Sequence, residues 1–283
     1  MFNRKRLLLL PLLLLVAASC SSKFYNPIRH RIYEPSQYGY EYREIQFRSL
    51  DGTNLHGWFF RATSDKQERG TIIQFHGGDE NVSSHFTNLV WLTREGYNLF
   101  VFDYQGYGSS EGLPNQQNLN SDGVAALNWV NNYNLARRKE IKLIAYGQSM
   151  GGTVLMRSLH DFNDKELISG VVIESSFESY REVLRSRLAE NWYTWIFQPL
   201  AYVLVKDDFA PKEYIADIAP VPILVIHGDA DKEVPVKHGL RIFEHAGEPK
   251  TFWAVPGGGH VKAMTEEQTG GYRQKLVNYL NDL

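Results

Sequence analysis

The chain has 283 residues, 43% of them hydrophobic and 22% charged, with a formal net charge of −2 at pH 7. That length and apolar content are enough for one large buried core, and the slightly acidic balance gives no basic footprint for nucleic acid. The single cysteine, Cys20, excludes an intramolecular disulfide and a thiolate metal cluster.

The first element does not belong to a fold. Arg4, Lys5 and Arg6 make a basic start, Leu7 to Val16 an apolar run interrupted by Pro11, and Ala17-Ala18-Ser19 a stretch of small residues. This is the layout of an export signal. The apolar run is shorter than the ~20 residues a spanning helix needs. With Cys20 directly after the small residues, the segment resembles a bacterial lipoprotein signal. The resemblance implies removal of residues 1–19, acylation of Cys20 and a place in the bacterial cell envelope. Ser21 after the cysteine resembles the sorting pattern for the periplasmic face of an outer membrane, where the organism has one. Residues 20–41, polar, aromatic and punctuated by proline, read as a tether between lipid and domain.

Two strands follow, Glu44–Arg48 and Leu55–Phe60, joined by the turn residues Asp51-Gly52 as an antiparallel hairpin. Short apolar runs then alternate with helical stretches. Thr71–Phe75 precedes a helix over about 84–94, and Asn98–Phe102 precedes one over about 116–133. Ile141–Tyr146 leads into a helix starting at Gly152, and Gly170–Glu174 leads into a long helical insertion over 176–219. Pro222–Ile226, a helix near 237–246, Thr251–Val255 and a terminal helix complete the chain. β-branched runs without polar alternation indicate strands buried on both faces. Alternating with helices, they predict an α/β domain over 42–283 with a mostly parallel central sheet. Ligands of such sheets bind beyond the C-terminal strand ends.

The chemistry-bearing residues all fall just after these strands. Gly147-Gln148-Ser149-Met150-Gly151 stands between a strand and a helix, the context of a nucleophile elbow. Such a turn lifts the Ser149 hydroxyl above the sheet and leaves the Met150 N–H at a helix N-terminus, free to meet an oxyanion. A serine hydroxyl needs a general base and a group to orient that base. Two later strand ends supply them: His227-Gly228-Asp229-Ala230-Asp231, and three glycines followed by His260. The order Ser149, Asp231, His260 is that expected of an α/β-hydrolase. Asp229 reads as a turn cap and His227 as a structural histidine. His76-Gly77-Gly78 follows the third strand, where a second oxyanion donor, the Gly78 N–H, is required. Asp103-Tyr104-Gln105-Gly106-Tyr107-Gly108 closes the next strand, with Tyr104 or Tyr107 as candidate pocket residues.

Together these blocks resemble the serine hydrolases of the α/β-hydrolase superfamily, close to the Bem46-like group, from about Tyr42 to the C-terminus. The resemblance implies an α/β-hydrolase fold with the 176–219 insertion as a helical cap. It implies Asp231, four residues after His227, as the acid of the triad. It implies cleavage of a small-molecule or lipid-like acyl ester or thioester at the membrane, without a cofactor. A serine peptidase on the same machinery, or a catalytically silent envelope binding protein, are the alternatives. No spaced His/Cys/Asp cluster suggests a metal. The cap concentrates Trp192, Tyr193, Trp195, Ile196 and Phe197, which either wall a pocket, dip into the membrane, or pack against their own domain.

Overall fold

The computed structural model describes residues 24–63, 67–137, 141–190, 192–265 and 271–283. The export signal and Cys20 lie outside the described residues. Eight strands form one sheet: β1 (Arg43–Arg48), β2 (Asn54–Phe60), β3 (Gly70–Phe75), β4 (Tyr97–Asp103), β5 (Lys142–Gln148), β6 (Ile168–Glu174), β7 (Ile223–Gly228) and β8 (Lys250–Val255). Their spatial order is β8-β7-β6-β5-β3-β4-β2-β1. β2 pairs antiparallel with both β1 and β4, and the other neighbours are parallel. The main helices are α1 (Gln116–Ala136), α2 (Met150–Asp161), α3 (Tyr180–Ala189), α4 (Lys237–His245) and α5 (Tyr272–Asp282).

The unalternating strands are explained by two cores, one on each face of the sheet. Along β4, Phe100 and Phe102 pack with Leu127 of α1 and Leu155 of α2. The intervening Leu99 and Val101 pack with Phe86 and with Leu276 and Leu280 of α5. Side chains alternate across a strand, so a strand covered on both faces needs apolar residues at every position. The fold is the expected α/β-hydrolase architecture.

The helix expected over 84–94 is broken. It is one α-helical turn at Val82–His85 followed by tighter turns at Phe86–Asn88 and Val90–Glu95. Its carbonyls are drawn off by side chains: Gln74 Nε2 donates to the His85 carbonyl at 2.9 Å and Trp91 Nε1 to that of Asn88 at 3.0 Å. A carbonyl satisfied this way no longer requires the regular ladder.

Residues 24–41, read as part of a tether, lie against the domain. Asn26–Pro27 pairs in parallel with Asp79–Glu80. Asn81 Nδ2 donates to the carbonyls of Ile28 (2.7 Å) and His30 (2.9 Å), and Ser83 Oγ accepts from the Ile32 N–H at 2.7 Å. The Phe24 ring meets Tyr180 edge-on, 5.2 Å between centroids. Main-chain pairing of this kind leaves little trace in side-chain pattern.

The cap leaves the C-terminal end of β6 and returns before β7. Ser179 caps α3, its Oγ accepting from the Glu182 N–H at 3.1 Å, and the Asp207 carboxylate accepts from the Tyr180 N–H at 2.8 Å. A tight turn at Trp195–Leu200 and a single helical turn at Ala201–Leu204 follow. Trp192, Tyr193, Trp195, Ile196 and Phe197 are exposed. They do not pack into their own domain.

Candidate active site

Ser149 sits between β5 and α2 at φ 52°, ψ −126°, a conformation that costs a non-glycine residue free energy and must be held by its surroundings. A Cβ on Gly147 would lie 2.5 Å from Gly152 Cα, and one on Gly151 would lie 2.2 Å from the Phe75 carbonyl oxygen. The turn therefore tolerates no side chain at either position. The Ser149 N–H donates to the Glu174 carbonyl at 2.9 Å, and Ser176 Oγ donates to the Ser149 carbonyl at 2.7 Å. The end of β6 thus fixes the elbow from both sides of its peptide.

Three of the residues singled out in the sequence meet here. His260 Nε2 is 2.8 Å from Ser149 Oγ, and His260 Nδ1 is 2.8 Å from Asp231 Oδ2. Asp231 Oδ1 accepts from the N–H groups of Glu233 and Val234, each at 2.9 Å. Burial alone would raise the Asp231 carboxyl pKa. Hydrogen bonding from His227 and His260, the neighbouring His260 ring and the backbone donors outweigh burial and hold it well below the usual carboxylate range. An ionised carboxylate only accepts, so Nδ1 of His260 carries the proton and Nε2 turns its lone pair to the serine hydroxyl. Asp229 Oδ1 instead accepts from the Gly257 N–H at 2.7 Å, tying down the loop that carries His260. His227 is buried, donating through Nε2 to the Val234 carbonyl at 2.7 Å.

The histidine loop is also gripped by residues that sequence reasoning missed. Ser175 Oγ accepts from the Val261 N–H at 3.1 Å, and Glu174 Oε1 accepts from the Ala263 N–H at 3.2 Å. Glu174 Oε2 accepts from Tyr146 Oη at 2.9 Å and from Gln148 Nε2 at 2.8 Å. Burial raises the Glu174 carboxyl pKa. One strand end, Glu174-Ser175-Ser176, therefore holds both Ser149 and the loop that brings His260. A glutamate closing the apolar run Val171-Val172-Ile173 was the available signal.

Gly78 and Met150 are close: a Cβ on Gly78 would lie 3.5 Å from Met150 Sδ. His76 Nδ1 is 2.8 Å from the Gly77 carbonyl, and because a carbonyl only accepts, Nδ1 donates. In a trans peptide the C=O and the following N–H point in opposite directions. Holding the Gly77 carbonyl on one side therefore turns the Gly78 N–H to the other. The Gly78 carbonyl accepts from the Asn26 N–H and from Tyr107 Oη, each at 2.8 Å. Tyr104 Oη donates to the His76 carbonyl at 3.2 Å. Both tyrosines are buried and brace this loop from behind; neither lines the cleft. Burial keeps His76 neutral, its pKa well below the ordinary value. Asp103, whose Oδ1 lies 3.7 Å from His76 Nε2, is raised by burial to about 7.

Ser149, His260, Gly77 and Gly78 line a cleft of about 190 Å³ together with Asp79, His85, Asn88, Gln148, Val261 and Lys262. Asn88, Gln148, Val261 and Lys262 are shared with an adjoining recess of about 430 Å³, which continues to Thr87, Met264, Thr265 and Arg273. No cap aromatic lines either. Among the described residues, no group of three or more His, Cys, Asp or Glu side chains is placed to hold a metal ion.

Residues 66–209 match the Hydrolase_4 family model, described as serine aminopeptidase, S33. The protein YfhR of Escherichia coli O157:H7, described as uncharacterized, is 32% identical over 91% of this chain and 86% of its own length. Protein bem46 of Schizosaccharomyces pombe is 24% identical over 93% of this chain and 85% of its own. Among solved structures, the Pyrococcus furiosus esterase Pf2001 superposes with a TM-score of 0.69 at 22% identity, covering 91% of this chain and 99% of that one. A soluble variant of the Saccharomyces cerevisiae monoglyceride lipase, in complex with a substrate analogue, gives 0.65 at 17% identity, covering 86% and 95%.

Proposed function

The chain belongs to the α/β-hydrolase family described as serine aminopeptidase, S33, and we propose that it is an envelope-anchored serine hydrolase cleaving carboxylic ester or thioester bonds. The observation that carries the reading is the unbroken path from Asp231 through His260 to the Ser149 hydroxyl, both contacts at 2.8 Å.

In this reading Ser149 Oγ attacks the substrate carbonyl carbon while His260 Nε2 takes the hydroxyl proton. The N–H groups of Gly78 and Met150 stabilise the oxyanion of the tetrahedral intermediate. As the intermediate collapses, His260 returns the proton to the departing alcohol or thiol, leaving Ser149 acylated. Water then attacks the acyl group with His260 again accepting a proton, and the acid is released with Ser149 restored. Asp231 keeps the imidazole in its Nδ1–H tautomer and stabilises the imidazolium formed at each step.

The ester preference is supported by the structural likeness to an esterase and a monoglyceride lipase. The recess beyond the cleft is lined by Thr87, Asn88, Lys262, Thr265 and Arg273, which suits a substrate bearing hydrogen-bonding groups next to the scissile bond. Envelope anchoring rests on the 1–20 segment of the sequence.

A peptidase reading follows from the family's description as serine aminopeptidase. A panel of acyl esters, acyl thioesters and amino-acid amides assayed on the purified protein separates the two. Esters or thioesters should be turned over with kcat/KM at least about tenfold above any amide. Amide turnover exceeding ester turnover would replace the proposal with a peptidase.

A further inference from the structure

From 191 to 205 the sequence carries no charged residue, yet most of the side chains from 192 to 204 lie on the surface of the cap. Trp192, Tyr193, Trp195, Ile196, Tyr202 and Val203 are each at least half exposed, Trp192 at 84% and Val203 at 68%. Other large apolar side chains exposed among the described residues are scattered, mostly single leucines, as on any soluble surface. A contiguous exposed apolar patch instead marks a contact with something else. The stretch is too short to span a bilayer. Its mix of tryptophan, tyrosine and aliphatic residues is that of segments lying in the membrane interface.

The start of the described chain says which surface this is. The carbonyl oxygen of Phe24 lies 2.3 Å from where a Gly78 Cβ would stand, and the Phe24 ring packs on Phe177 and Tyr180 at the base of α3. In the first turn of α3, Glu182 accepts from Tyr202 Oη at 2.8 Å, and about one turn further on the Arg185 guanidinium lies over the Tyr202 ring. Phe24, the cleft and the apolar patch thus share one end of the molecule. Three residues separate Cys20 from Phe24, and the four Cα-to-Cα steps between them span at most about 14 Å when extended. An acyl group on Cys20 would bring the bilayer to this end and to no other.

We propose that the 192–203 face of the cap seats in the interfacial region of a lipid bilayer, holding the cleft end of the domain against the membrane. The placement rests on the lipid-anchor reading above, but the patch itself is independent of it.

The test uses wild-type protein reconstituted in phosphatidylcholine vesicles, with and without bromine on the acyl chains. Brominated lipid should quench a component of the tryptophan emission, and that component should vanish in Trp192→Phe/Trp195→Phe. In the Cys20→Ser background, Ile196→Ser/Val203→Ser should weaken vesicle binding about tenfold, while turnover of a short, water-soluble ester stays unchanged. Equal emission in brominated and ordinary vesicles, from protein shown to carry acyl label, would overturn the docking and leave the anchor standing. Quenching from protein without acyl label would leave the docking standing and remove the anchor. A dimer in lipid-free solution that Ile196→Ser/Val203→Ser converts to monomer would assign the patch to a second copy and overturn the proposal.

Discussion

His76 Nδ1 donates to the Gly77 carbonyl at 2.8 Å, and this single bond sets the direction of the Gly78 N–H. His76 is buried and does not reach the cleft, so it is a positioning residue for the proposed oxyanion site. His76→Ala should lower kcat for a neutral ester about ten- to a hundredfold while changing KM little, since the bond acts on charge that develops only in the transition state. A matching rise in KM with kcat preserved would assign His76 to substrate binding instead.

The two aspartates after β7 have different partners. Asp231 meets His260, whereas Asp229 meets the Gly257 N–H. Asp231→Asn should lose roughly a thousandfold or more in kcat, because the imidazole loses the carboxylate that fixes its tautomer. Asp229→Asn keeps an oxygen for the Gly257 N–H and should retain most of its turnover. Steady-state kinetics on one ester decides it; a crippled Asp229→Asn beside an active Asp231→Asn would reverse the roles.

Asp103 gives the protein a pH-dependent stability. Burial raises its carboxyl to about 7, above the ~3.9 of an aspartate in an unfolded chain. The folded state binds this proton more tightly, so the stabilisation is complete below about pH 4 and is lost as pH rises through about 7. Asp103→Asn keeps a neutral acceptor for the Val82 N–H, which Asp103 Oδ1 accepts at 2.8 Å. Urea unfolding at pH 5 and pH 8 should show wild type losing more stability than Asp103→Asn between the two. Equal losses would mean that Asp103 is ionised in the folded protein.

The sheet was legible because runs such as Ile72-Ile73 and Val171-Val172-Ile173 are buried on both faces, and a strand of that kind has no other sequence signature. The elbow was legible because its glycines are forced by backbone contacts. The family resemblance, not the residues alone, singled out Asp231, and the geometry puts that residue, not Asp229, beside His260. The docking of Asn26 on Gly78 was invisible, since its bonds are main-chain and carry no residue preference. The broken helix after Asn81 was invisible for a related reason: Gln74, on the strand before it, takes the His85 carbonyl. The fate of the cap aromatics could not be read either, because an uncharged run looks the same whether it is buried or exposed.

Anchoring has its own test. Wild-type protein should fractionate with membranes, resist salt extraction and incorporate labelled palmitate, while Cys20→Ser should lose the label. Label carried by Cys20→Ser as by wild type would exclude acylation at that cysteine. Membrane retention by an unlabelled wild type would point to an uncleaved N-terminal segment.

The central claim is that Ser149 is a nucleophile activated by His260. A fluorophosphonate probe followed by peptide mass spectrometry tests it most directly. The probe should phosphonylate Ser149 in the folded wild-type protein, should leave Ser149→Ala unlabelled, and should react with His260→Ala at least about a hundredfold more slowly. Absence of an adduct on folded wild type, or an adduct on any other serine that persists in Ser149→Ala, would contradict the account.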